Sequence, residues 1–151
     1  MNWTYKGKEL SSIEEFPPST FGFVYRVIHI PTGKIYIGKK VLQHTRKVKL
    51  TKKELKEYEG VVGRRPSYRI AIKESDWKTY WGSNKYLKEL MKDEPIENFK
   101  REILVCVSTK KLLTYEETKH LFIYQVLEKP DEFFNDNILG KFFTKDFDTQ
   151  E

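Results

Sequence analysis

A chain of 151 residues is long enough for one domain and short for two, and its 38% hydrophobic and 15% aromatic content can fill a core. The 28 basic residues outnumber the 22 acidic ones for a net charge of +6, which suits a polyanionic partner. Cys106 is the single cysteine, which excludes an intrachain disulfide and thiolate-rich zinc sites; with no run near the ~20 apolar residues of a membrane span and no signal-peptide core at the N-terminus, a reducing cytoplasm is expected, with no membrane partner.

In chain order, Trp3 to Leu10 reads as a small hairpin turning at Lys6-Gly7-Lys8, and Pro17-Pro18 then punctuates the chain. Gly22 to Ile30 is rich in aromatic and β-branched residues and is expected to be a strand. Pro31-Thr32-Gly33 gives a turn, and Lys34 to Lys39 the return strand of a hairpin. Lys40 to Leu50 is basic and irregular at its end. Thr51-Lys52-Lys53-Glu54 has the form of a capping box and predicts a short helix to about Glu59.

Gly60 to Asp76 reads as a basic loop. Ser83 is placed to cap a helix through about Lys92, and Phe99 to Val107 is a third strand. Ser108 is placed to cap the longest helix, about Thr109 to Glu128, with Leu113, Leu121, Tyr124 and Leu127 on one stripe. The tail after Pro130 reads as loop. Together these predict an α+β domain: a small, mostly antiparallel three-stranded sheet flanked by helices, with a short N-terminal hairpin. Residues 1–151 are read as a single domain with its core at about 20–143 and no separate DNA-recognition module, since neither a zinc finger nor a helix-turn-helix is visible.

The charge is uneven. From Lys39 to Lys73 there are 12 Lys or Arg and three acids, Glu54, Glu57 and Glu59. Such a run suits nucleic acid or an anionic membrane surface, or is a solvated face; on the nucleic-acid reading Lys47, Lys49, Arg64, Arg65, Arg69 and Lys73 are expected to track the backbone, giving affinity and salt dependence with little sequence reading. Trp77, Tyr80 and Trp81 either stack on a distorted base or, the preferred reading, pin their segment onto the core.

Tyr25 and Tyr36 stand eleven residues apart, one on each strand of the central hairpin. With an even-numbered turn, paired positions sum to an odd number and both tyrosines point to one face of the sheet.

Phe23-Val24-Tyr25 followed by Tyr36-Ile37-Gly38 resembles the paired motif that names the GIY-YIG nuclease family, with the first motif degenerate and the second intact. The resemblance runs from about Thr20 to Phe143. It places Arg46 ten residues beyond Tyr36, a glutamate at Glu116 or Glu117, and an asparagine after an aromatic at Phe134-Asn135. Strings such as YIGKK, GRRP, ESDW, YWGS and NFKREIL are similar to small stand-alone members of bacteriophage genomes, described as homing-endonuclease-like, so the cytoplasm would be a host's.

The resemblance implies a DNA endonuclease using Mg²⁺, with Mn²⁺ as a substitute and no organic cofactor. Tyr36 is the favoured base and Tyr25 its partner or alternate, with Lys39 and Lys40 expected to favour the phenolate. Arg46 is expected to hold the scissile phosphate, with His44 beside it. Glu117 is favoured over Glu116 as the one metal ligand, because it falls in line with Leu113, Leu121 and Tyr124, and a carboxylate among apolar neighbours calls for a cation. Asn135 is expected to position phosphate or metal-bound water, with Asn137 as alternate. Family members that cut long specific sites add a recognition module, so its absence leaves open modest specificity, recognition of DNA structure, a homodimer or a targeting protein. A non-catalytic nucleic-acid-binding module and an RNA nuclease are the competing readings. His29 and His120 are read as structural or surface residues.

Overall fold

A computed structural model describes residues 2–60, 63 and 67–147. The chain forms two compact units, Met1–Leu42 with Asp76–Glu151, and Gln43–Ser75.

The larger unit is built on a five-stranded sheet. Its strands are β1 (Trp3–Tyr5), β2 (Lys8–Leu10), β3 (Gly22–His29), β4 (Lys34–Val41) and β7 (Phe99–Val107), in the order β2-β1-β7-β3-β4. The expected count of three strands is therefore corrected to five. The N-terminal hairpin joins the sheet because β1 pairs in parallel with β7, Thr4 beside Glu102 and Tyr5 beside Ile103. That pairing is non-local, and no pattern within the three residues of β1 announces it. All other pairings in the sheet are antiparallel.

Strand β3 is buried along most of its length because both sheet faces are covered. Phe23, Tyr25 and Val27 point into one cluster with Trp3, Trp77, Phe99 and Leu87, the buried residue of helix α2 (Lys85–Asp93). Val24 and Ile37 point into another with Leu113 and Leu121 of helix α3 (Lys110–Ile123). Neither helix starts where the serines suggested. Asn84 caps α2, its Oδ1 accepting from the Leu87 amide at 3.0 Å, and Thr109 caps α3, accepting from Leu112 at 3.1 Å. Helix α3 also stops at Ile123, short of Glu128. Gln125 takes φ +56° there, and the Val126 and Gln125 amides donate back to the Leu121 and Phe122 carbonyls. This is the stop that glycine normally signals, made here by a glutamine. The tail adds two short paired strands, β8 (Asn137–Ile138) and β9 (Phe142–Phe143).

The smaller unit is a β-ribbon carrying a short helix. Strand β5 (Gln43–Lys49) pairs antiparallel with β6 (Tyr68–Glu74) from Gln43↔Glu74 to Lys49↔Tyr68. Part of the stretch expected to be a basic loop, Gly60 to Asp76, is therefore strand; alternation of the large apolar Tyr68, Ile70 and Ile72 with Arg69, Ala71 and Lys73 is the β pattern that the charge obscured. Helix α1 (Lys52–Lys56) begins at the expected capping box, with Thr51 accepting from the Glu54 amide at 3.2 Å.

Candidate active site

The β3–β4 hairpin has a four-residue turn, since His29 pairs with Lys34 and Tyr25 with Gly38. Tyr36 pairs with Val27, so Tyr25 and Tyr36 share a face, with ring centroids 6.2 Å apart. Gly38 makes this possible: a Cβ there would lie 2.5 Å from the Tyr25 hydroxyl and 3.0 Å from the Tyr36 ring. Gly82, at φ +104°, gives the same clearance from the other side, its hypothetical Cβ 3.0 Å from Tyr36 and 3.2 Å from the Tyr25 hydroxyl.

The segment that brings Gly82 into place is anchored by a buried arginine. Arg101 of β7 lies between the rings of Trp3 and Trp81, at 4.7 and 4.2 Å from their centroids. Its Nη1 donates to the carbonyls of Lys78 and Tyr80 at 3.0 and 2.8 Å, and burial pulls the guanidinium down to about 10. Trp77 is fully buried, and its carbonyl accepts from the Trp3 indole. The aromatics of this stretch thus pin it to the core, and Tyr80 comes to rest edge-on to Tyr25 at 6.1 Å. Ser83, whose hydroxyl might have capped α2, instead lies 3.3 Å from the Tyr36 hydroxyl.

Strand β4 is the last strand of the sheet, and elements from both faces meet along its outer edge, where the tail bonds to Ile35 and Ile37. They enclose a cleft of about 560 Å³, lined by Tyr36 and Lys39 of β4, Ser83 to Tyr86, Glu117 and Leu121 of α3, and Asn135 to Asn137 of the tail. Glu117 enters this cleft, and Glu116 does not line it. Glu116 instead pairs on the helix surface with Lys119 at 3.3 Å. Burial raises the Glu117 pKa, opposed by the Lys39 charge and by a hydrogen bond from the Lys39 backbone amide. Among the described residues there is no cluster of three or more His, Cys, Asp or Glu. A half-buried carboxylate whose charged form is disfavoured by burial fits a divalent cation that keeps most of its waters.

Both phenols are held in their protonated form. Burial pushes Tyr25 well above its ordinary value, with Tyr36, Tyr80 and Glu117 acting in the same direction. Burial also raises Tyr36, with hydrogen bonds from Ser83 and Tyr25 opposing it. The expected activation by Lys39 and Lys40 is corrected here. Lys40 is ion-paired with Asp76 and sits 4.1 Å over the Tyr80 ring. Lys39 donates to the Thr114 hydroxyl at 3.1 Å and acts electrostatically on Glu117. Alternation along the strand turns Lys39 to the α3 face, while Lys40 shares the tyrosine face and is held there by Asp76 and the Tyr80 ring.

Asn135 is also reassigned. Its Oδ1 accepts from the Ile37 amide at 3.0 Å and its Nδ2 donates to the Ile37 carbonyl at 2.8 Å. The side chain is buried and clamps the middle of the Tyr-Ile-Gly motif, which takes it away from the expected hold on phosphate or water. Asn137 bonds Asp136 and Gly140 within its own turn. His29 is a buried structural residue between Thr32 and Glu94, and His120 lies against the Glu116 carbonyl.

The larger unit therefore brings together Tyr25, Tyr36, Lys39, Glu117 and Asn135. Arg46 and His44 lie on β5 of the smaller unit, exposed, opposite Ala71 and Lys73. Lys47, Lys49, Arg69 and Lys73 are exposed on the same ribbon, and Arg69 is bonded to Glu54 at 2.9 Å. Arg64 and Arg65 lie outside the described residues. Tyr80, Gly82, Ser83, Arg101 and Asp136 were not read as site residues from sequence. The Tyr-Trp-Gly-Ser run at 80–83 was the available signal, an aromatic pair beside a glycine and a hydroxyl.

A mostly antiparallel sheet that presents two hairpin tyrosines on one face, beside a helix-borne glutamate, is the GIY-YIG nuclease fold. The chain belongs to the family described as "Putative endonuclease segE, GIY-YIG domain", whose model matches residues 3–138. No curated protein and no solved structure matches it. No described helix is long and apolar enough to cross a membrane.

Proposed function

We propose that this protein is a metal-dependent endonuclease that hydrolyses DNA phosphodiester bonds by a tyrosine-assisted, one-metal mechanism. The observation that carries this reading is the convergence of the Tyr36 hydroxyl and the Glu117 carboxylate on one cleft, from a strand and a helix. Glu117 would hold Mg²⁺, which when bound supplies Lewis-acid stabilisation of the leaving 3′-oxygen. Arg46 is assigned to the scissile phosphate from its spacing beyond Tyr36, and its guanidinium suits two phosphate oxygens.

Tyr36 orients the attacking water as a phenol and takes its proton as a phenolate. Because its pKa is raised, the phenolate is the minor form near neutrality. Tyr25, deeper and pushed higher, donates to the Tyr36 oxygen and steadies that phenolate without becoming the base itself. The cleavage rate should then climb with pH from 7 to 9, close to tenfold per unit.

Nicking of supercoiled plasmid with Mg²⁺ tests the assignment. Wild type should cut, and EDTA and Glu117→Ala should each abolish cutting. Tyr36→Phe should lower the rate by about 10²–10⁴-fold and remove its rise with pH. Glu117→Ala cutting at the wild-type rate would transfer the metal to another group. A chain that binds DNA and never cuts plasmid, branched or single-stranded substrates would be a binding module.

A further inference from the structure

We propose that the β5–β6 ribbon lies in the major groove of duplex DNA and reads it through its Tyr68–Ile70–Ile72 face. This rests on the nuclease reading above and deepens it, since phosphate contacts alone would leave the enzyme without sequence preference.

The register separates the ribbon into two chemically distinct faces. Thr45, Lys47 and Lys49 stand directly across from Ile72, Ile70 and Tyr68. The three apolar side chains are 66%, 70% and 58% exposed. Large β-branched residues in a strand usually face a core, and here they face outward in a row. The other face carries the pairs His44–Lys73, Arg46–Ala71 and Val48–Arg69.

Charge decides what covers the apolar row. The two strands carry five Lys or Arg and a single acid, Glu74. Lys47 and Lys49 are the cross-strand partners of Ile70 and Tyr68. An apolar protein surface laid on this face would bury two ammonium groups with Glu74, at the far end of the row, as the one acid on it, at high cost. A DNA groove offers both chemistries side by side: thymine methyls and base-pair edges for the isoleucines and Tyr68, guanine acceptors and phosphates for the lysines.

Dimensions agree. Seven residues per strand span about 24 Å, roughly seven base pairs, and the major groove, about 12 Å wide and 8.5 Å deep, admits a two-stranded ribbon. The ribbon's outer face then stands level with the groove rims, where Arg46 and Lys73 reach phosphates.

The test is binding selection in EDTA, with the 151-residue chain and a pool of 20-base-pair duplexes randomised at seven central positions. Wild type should enrich a subset of sequences. Ile70→Ser/Ile72→Ser changes only exposed positions; it should bind the pool with an unaltered salt dependence and lose the enrichment. Lys47→Ala/Lys49→Ala should reduce the slope of log affinity against log salt by about 1.8. Failure of wild type to bind, binding without enrichment, or enrichment surviving in the isoleucine variant each overturns the proposal. So does sedimentation showing a wild-type dimer that the isoleucine variant dissociates with enrichment intact. Plasmid nicking is scored separately, so loss of the nuclease reading is not confused with loss of this one.

Discussion

Replacing Asn135 by alanine removes the bond donated by the Ile37 amide, at 3.0 Å, and the bond donated to the Ile37 carbonyl, at 2.8 Å. Both main-chain groups are then left in a buried setting without this partner. At about 1–3 kcal/mol for each group so abandoned, the variant should lose about 3 kcal/mol. In a chain of this size about 2–4 °C of melting temperature accompanies each kcal/mol, so the midpoint should fall by about 6–12 °C. The assay is thermal melting followed by circular dichroism without metal, paired with plasmid nicking well below the transition. Nicking should persist at a reduced rate, because the clamp holds β4 without touching the reacting atoms. Asn135→Asp should be no better than alanine, since a carboxylate cannot donate to the Ile37 carbonyl. A melting temperature within 2 °C of wild type together with abolished nicking would refute the clamp and return Asn135 to the chemistry.

Gly38→Ala places a methyl against the Tyr25 hydroxyl; it should cost about 1–3 kcal/mol and at least tenfold in nicking rate, read by urea unfolding and plasmid assay. Glu117→Gln should raise the metal-free melting temperature at pH 7. The folded-state pKa of Glu117 is raised, so the ionised carboxylate opposes folding above that pKa, and the difference should vanish as pH falls below the ordinary carboxylate range. Mg²⁺ should stabilise wild type and leave the glutamine variant unmoved in the same melts. Arg101→Leu removes two charged hydrogen bonds to the 78–80 backbone; it should lose about 3 kcal/mol in urea unfolding, and Arg101→Lys should not restore it, because a point charge cannot fill the planar slot between two indoles.

The hairpin and the third strand were legible because each has a local signature, β-branched runs set off by turn residues such as Pro-Thr-Gly. The shared face of Tyr25 and Tyr36 followed from their spacing only with an even-numbered turn, and the four residues between His29 and Lys34 supply that condition. What was not legible depends on distant partners. Nothing near Trp3–Tyr5 says that it pairs with β7. Nothing near Asn135 says that its amide meets a main chain 98 positions away. The lysines after the motif were misread because charge is visible in sequence while its direction is not: Lys40 turns to Asp76 and Tyr80. The 68–74 strand was hidden by composition, its basic residues reading as loop although the alternation beneath them was β.

The outer rim of β4 is closed piece by piece. The Ile35 amide donates to the Glu132 carbonyl, the Ile35 carbonyl accepts from Phe134, Ile37 is held by Asn135, and the Lys39 amide is taken by Glu117. An open strand rim is a template on which a second chain can add, so this closure guards the sheet against self-association. The guard is synthesised late: residues 132–135 leave the ribosome long after β4, and the same segment supplies one wall of the cleft. Until it docks, the nascent chain has a vulnerable rim and an incomplete site. A chain assembled in this order has no finished cleft before its sheet is protected from aggregation.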